Sequence, residues 1–292
     1  MREVHLTVES VDGHPLAGTL YEPGRLPLAA VQLNGATGVP RRYYRAYAQF
    51  LAERGFVVLT YDYRGMGDSR FHAARRGQVT MRNWGERDYA SMLQYLHERH
   101  SQLPLLAVGH SVGGQLLGLA PNNHLVTAAL GIAAQSGYWR HWPLRLQPRM
   151  AALWYGLIPA LLALKGRIPK GWMGEELPTG VAREWARWCR TPHFISDEHG
   201  EPLREYFRGY RGKLRLVAIA DDEQFAPQAA VQALAGFYDS ADVEVRTLQP
   251  RDHGLKRIGH FGFFRADMPR AAWQETANWL SAALAPTLRK AA

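Results

Sequence analysis

The chain has 292 residues, 47% apolar and 11% aromatic, enough to bury one large core or a core with an insertion. Its formal charge of +9 is spread along the chain, with small basic knots at Arg41-Arg42-Arg45, Arg75-Arg76 and between Arg140 and Arg149. No helix-turn-helix, zinc-finger or RNA-recognition pattern accompanies them, so they read as a solvated surface and argue against nucleic-acid binding.

Weak attraction to an anionic membrane surface or an acidic substrate stays open. No apolar run reaches the ~18 residues of a membrane span, and the longest, Ala151 to Leu164, contains Gly156 and Pro159. The single cysteine, Cys189, excludes an intrachain disulfide and fits a reducing compartment. Met1 to His5 carries charges where a signal peptide needs an apolar core, so a cytoplasmic location is expected.

Val4, Leu6 and Val8 alternate with His5 and Thr7, and Leu16 to Tyr21 follow an Asp12-Gly13 turn. This predicts an antiparallel entry hairpin. Ala29 to Leu33 and Phe56 to Tyr61 are short apolar runs and predict buried strands. Between them Tyr44, Tyr47, Ala48 and Leu51 fall at helical spacing, and Gly55 ends the helix. A second helix runs through Tyr89, Met92, Leu93 and Leu96, with Asn83 as its expected cap. Leu105 to Val108 leads into Gly109-His110-Ser111-Val112-Gly113-Gly114, followed at once by an apolar segment to Ala120. Val126 to Ala133 predicts another strand.

Residues 137–212 break this rhythm. They hold six of the nine tryptophans (Trp139, Trp142, Trp154, Trp172, Trp185, Trp188) and seven prolines, with no strand pattern. Ala151 to Leu164 and Val181 to Arg190 read as helices. Such an insertion reads as a lid over the strand ends, with most of its tryptophans serving as core. Leu214 to Ala220, Pro227 to Tyr238 and Val243 to Leu248 then resume strand, helix, strand. A loop with His253 and His260 leads to a final helix from Pro269 to Leu284. The alternation predicts an α/β fold: a mostly parallel central sheet with helices on both faces. Residues 1–136 and 213–292 form its core, and 137–212 a helical cap inserted before the acid-bearing strand.

In such sheets reactive groups gather at the carboxyl ends of the strands. Gly-x-Ser-x-Gly between an apolar strand and a helix puts Ser111 at a strained, exposed turn, where Gly109 and Gly113 let backbone approach backbone. A serine needs a base to take its proton and an acid to orient that base. The chain order nucleophile, acid, histidine is met by Ser111, Asp222 and His260. Asp221 is the alternative acid, with Glu223 a distant third, and His253 the alternative base. Gly259 and Gly262 favour His260, because they permit a tight inward loop. The oxyanion needs two donors, assigned to the backbone N–H groups of Val112 and Ala36. Neither Asn34 to Gly38 nor Gly65-Met66-Gly67 forms a nucleotide loop, and no metal-ligand pattern appears, His97 and His100 having no third partner. No cofactor and no metal are expected.

Together Asn34-Gly35-Ala36-Thr37-Gly38, Tyr61 to Ser69, Gly109 to Gly114, Asp221-Asp222 and Gly259 to Phe264 resemble the α/β-hydrolase superfamily. The closer likeness is to a bacterial group in its serine-aminopeptidase/monoglyceride-lipase-like branch. The resemblance implies Ser111 as nucleophile, Asp222 as acid, His260 as base, and a cap where the insertion falls. Many relatives have His-Gly where this chain has Asn34-Gly35. The implied activity is a serine esterase acting through an acyl-enzyme on a small or apolar carboxylic ester. The alternatives are an amidase or aminopeptidase, with Glu175, Glu176 or Glu184 receiving a free amino group, and a non-catalytic ligand-binding protein. Ala151 to Leu164 is the candidate for a mobile lid helix that admits lipid-like substrates.

Overall fold

A computed structural model describes residues 1–70, 78–171 and 174–284. Trp172 and the Arg75-Arg76 pair lie outside the described residues. Alternating apolar residues in Arg2–Glu9 (β1) and Pro15–Glu22 (β2) form the expected antiparallel hairpin, with Arg2 opposite Glu22 and Glu9 opposite Pro15. Six more strands follow: Ala29–Asn34 (β3), Phe56–Tyr61 (β4), Leu105–His110 (β5), Val126–Ile132 (β6), Lys213–Ile219 (β7) and Asp242–Leu248 (β8). They form one sheet in the order β1-β2-β4-β3-β5-β6-β7-β8. Pairing is parallel from β4 through β8, and antiparallel only where the hairpin joins at β1–β2 and β2–β4. Every residue of β3, β4 and β5 is buried, so both faces of the central sheet are covered, as their unbroken apolar runs require.

The helix Arg45–Glu53 ends as read, at Gly55, whose φ is 94°. The next helical run covers 81–99, and its cap differs from the expectation. Thr80 is the N-cap: its side chain accepts from the Asn83 N–H, and the Asn83 side chain returns a bond to the Thr80 N–H. This reciprocal box satisfies two end donors where a lone Asn83 cap would satisfy one.

The Tyr61 to Ser69 motif proves to be architectural. Arg64 donates to Asp88 at 2.5 Å and to Asp12 at 2.7 Å, and its carbonyl accepts from Trp84 Nε1 at 3.0 Å. Asp62, just past the end of β4, is paired with Arg41 and accepts from the Arg41 N–H at 2.7 Å. Ser69 Oγ donates to the Asp62 carbonyl at 2.7 Å and accepts from Ala17 N–H at 2.9 Å. The motif therefore pins hairpin, β4 and the 81–99 helix together.

Between β6 and β7 the chain is helical. Gln147–Ala151, a wider turn over Ala152–Leu157 and Ile158–Lys165 follow one another without a break, and Thr179–Arg190 forms the second long helix. Trp142, Trp154 and Trp188 are buried, while Trp139 and Trp185 are half-buried. Leu144, Tyr155, Leu157 and Leu164 are exposed. Among the described residues no helix is long and apolar enough to cross a membrane.

Arg64→Ala leaves the Asp88 carboxylate, 0% exposed, without its cation. Burial already pushes Asp88 up to about 6 with Arg64 beside it. Breaking such a pair costs about 3–5 kcal/mol. The expected outcome is a large fall in thermal midpoint, read by circular dichroism, that Asp88→Asn in the same background partly restores.

Candidate active site

Ser111 follows β5 and caps the four-residue helix Val112–Gln115, with φ 53° and ψ −117°. This conformation is sparsely populated for a residue with a Cβ, costs about 1–3 kcal/mol, and persists only where its surroundings fix it. They do so here. A Cβ on Gly113 would lie 2.2 Å from the Asn34 carbonyl oxygen, and one on Gly109 2.3 Å from the Gly114 nitrogen. The Ser111 N–H also donates to the Ile132 carbonyl at 2.9 Å. Contrary to the expectation of an exposed tip, Ser111 is only 9% exposed. It opens onto a cavity, not onto bulk solvent.

That cavity, of about 240 Å³, is lined by Ser111 and His260 together with strand-end residues such as Ala36 and Phe225. Its opposite wall comes from the 137–212 segment, chiefly Trp142, Met150, Leu153, Trp154 and Trp185. A wider groove of about 830 Å³ runs behind Asp222 and Glu223 and is not lined by Ser111.

The two adjacent aspartates have separate jobs. Asp222 is 3% exposed and takes the His260 Nδ1–H at 2.6 Å. Asp221 accepts instead from the backbone N–H groups of Ile258 and Gly259, at 3.0 and 3.1 Å. It holds the turn that presents His260, and Gly259 makes that turn with φ 63°. The His260 ring stacks on Phe225, centroids 5.1 Å apart, and meets the edge of Phe261 at 4.9 Å. Glu223 is half-exposed and paired with Arg145. His253 lies in a turn, Pro250–His253, and does not line the cavity. Among the described residues the Ser111 hydroxyl makes no hydrogen bond; its link to His260 is the shared cavity.

In the loop after β3 the Ala36 donor already has a partner. Ala36 lines the cavity, yet its N–H donates to the Tyr44 hydroxyl at 2.7 Å. Tyr44 in turn meets His110 Nδ1 at 2.9 Å, and His110 Nε2 meets the His260 carbonyl at 2.9 Å. A carbonyl only accepts, so His110 carries its proton on Nε2, and Tyr44 must donate to Nδ1. The chain of bonds is therefore consistent from Ala36 to His260. Nothing in the sequence marks Tyr44 or His110 as site residues, because their partners lie 8 to 150 residues away and leave no local pattern. Asn34 is fully buried. It bonds to Gln32 and Val108 carbonyls at 3.2 Å and accepts from Tyr61 at 2.9 Å, so it ties strands together.

Glu175, Glu176 and Glu184 do not line the cavity. Glu175 accepts from Gly67 N–H and pairs with Arg42 and Arg70, and Glu176 pairs with Arg167. Glu184 takes the Arg82 N–H at 2.9 Å and pairs with Arg187. Cys189 reaches the cavity wall, but burial pushes its thiol well above the usual range, so it stays protonated. Among the described residues no cluster of three His, Cys, Asp or Glu side chains could hold a metal.

A family model described as serine aminopeptidase, S33, matches residues 29–174, half of the chain. The chain belongs to this family. The match includes Ser111 but ends before Asp222 and His260. No curated protein matches the sequence. Among solved structures, a soluble variant of monoglyceride lipase from Saccharomyces cerevisiae superposes with TM-score 0.71 and 13% identity, covering 97% of this chain and 96% of that one. A thermostable carboxyl esterase from Bacillus coagulans gives TM-score 0.68 and 16% identity over 97% and 99%. These likenesses show the α/β-hydrolase fold.

Burial holds His110 neutral, its pKa well below the ordinary 6.5. In the unfolded chain it takes a proton below about pH 6.5, so its contribution to stability is complete above that pH and is lost as pH falls. The expected slope is roughly 1.4 kcal/mol per pH unit. Thermal midpoints of the wild type from pH 7.5 downward, set against His110→Gln, should show the variant losing about one proton's worth of acid sensitivity.

Proposed function

We propose that the protein is a serine esterase that cleaves small or apolar carboxylic esters through an acyl-enzyme. The observation that carries this reading is the 2.6 Å bond from His260 to buried Asp222 in the wall of a cavity shared with a strained Ser111. With its Nδ1–H given to Asp222, neutral His260 keeps a lone pair on Nε2, the state a general base needs. Ser111 Oγ attacks the ester carbonyl as its proton passes to Nε2. His260 then returns the proton to the leaving alcohol, and water repeats the cycle on the acyl-Ser111 ester.

The negative oxygen is received by the Val112 N–H, one of the first-turn donors that a helix leaves unpaired. Ala36 N–H is the second donor. As charge develops, the oxyanion replaces the Tyr44 hydroxyl, because a hydrogen bond to an anion is roughly twice as strong as one to a neutral acceptor. The 137–212 segment acts as the cap that shapes the acyl site, and its apolar wall favours carbon-rich substrates.

The aminopeptidase alternative requires a carboxylate to receive the substrate ammonium, and no Asp or Glu lines the cavity among the described residues. The single, buried, protonated cysteine fits a cytoplasmic setting. Leu144 within the basic 140–149 stretch, with Leu157 and Leu164 exposed on the helical run that follows it, supports weak membrane-surface contact.

A fluorophosphonate probe should label Ser111 in the folded protein; an unlabelled Ser111 together with no turnover of any ester would leave the non-catalytic reading. Ser111→Ala and His260→Ala should each lower kcat on a p-nitrophenyl ester by at least about 10⁴-fold, and Asp222→Asn by about 10⁴-fold. His253→Ala should leave the rate unchanged; a collapse there, with His260→Ala active, would move the base. Matched ester and amide substrates should show the ester turned over and an amino-terminal amide refused.

A further inference from the structure

The cavity has a charge of its own. Among the described residues its lining contains no carboxylate and one arginine, Arg149. Arg149 stands on the helical run that starts at Gln147, in a stripe with Leu146, Met150, Leu153 and Trp154 that faces the cavity. Helical spacing calls for an apolar residue there, so a cation interrupts an otherwise apolar face.

Neighbouring arginines are occupied. Arg145 pairs with Glu223, Arg187 pairs with Glu184 at 3.2 Å, and Arg190 lies over the Tyr155 ring at 5.5 Å. The Arg149 side chain is exposed and makes no ion pair or hydrogen bond among the described residues. Its stem can follow the apolar wall while the guanidinium stays at the rim.

We infer that Arg149 selects esters that carry a carboxylate at the end remote from the scissile bond. This rests on the proposed role of Ser111 and names the substrate class for it. Such a molecule has an ester over Ser111, an apolar middle against Leu153 and Trp154, and an anion at Arg149. The planar guanidinium matches a carboxylate, and the same charge repels an ammonium. The protein's excess of positive charge adds to that bias.

Two ester pairs test the inference. On the acyl side, p-nitrophenyl octanoate is compared with the p-nitrophenyl monoester of octanedioic acid. On the alcohol side, octyl butanoate is compared with the butanoate of 8-hydroxyoctanoic acid. In at least one pair the wild type should prefer the anionic member at low salt. Arg149→Gln should lower that kcat/KM ratio roughly fivefold, the scale of one exposed charge pair, and Arg149→Glu should lower it further. About 0.5 M salt should erode the wild-type preference. Equal ratios in all three proteins, for both pairs, would overturn the role of Arg149 while the esterase reading stands. Failure of the wild type to hydrolyse any of the esters would overturn the esterase reading itself.

Discussion

Two backbones must touch for this site to exist. The turn at Ser111 presses Gly113 against the Asn34 carbonyl, where even a methyl group would sit 2.2 Å from oxygen. That contact sets the distance between the end of β5 and the loop after β3. It also supports a serine in a conformation that the residue would not adopt alone. The parallel sheet supplies the rigidity: β3, β4 and β5 are buried throughout, so the strand ends cannot shift without opening the core.

From that turn a buried polar chain runs in both directions. His110, one residue before Ser111, ties the loop bearing Ala36 through Tyr44 and the loop bearing His260 through its carbonyl. Each partner is satisfied only if His110 is neutral and in one tautomer, so a single buried ring sets the spacing of three loops. Next door, Asp222 and Asp221 divide the work of orientation. One fixes the ring of His260 and the other its backbone.

The same framework supports many acyl transfers, so selectivity must come from the wall that faces it. Among the described residues that wall is largely apolar and aromatic, with one arginine at its rim and no acid. The glutamates of the 137–212 segment that would suit an amine are held instead by arginines and backbone N–H groups. Charge placement, more than the reacting groups, separates the ester reading from the peptidase one.

Apolar runs and periodicity were sufficient for the architecture: eight strands, the entry hairpin and the helical segment between β6 and β7 follow from spacing that each stretch carries locally. The glycines around Ser111 and the chain order of Ser111, Asp222 and His260 were equally legible, because a sharp turn and strand-end positions leave residue-level marks. Other features depend on partners far away in sequence. The burial of Ser111, the engagement of Ala36 N–H by Tyr44 and the division between Asp221 and Asp222 arise only when segments 8 to 150 residues apart meet. Sequence thus determined which groups could react. Tertiary packing decided which hydrogen bonds were already taken, since a donor's partner is a matter of three-dimensional distance and not of position along the chain.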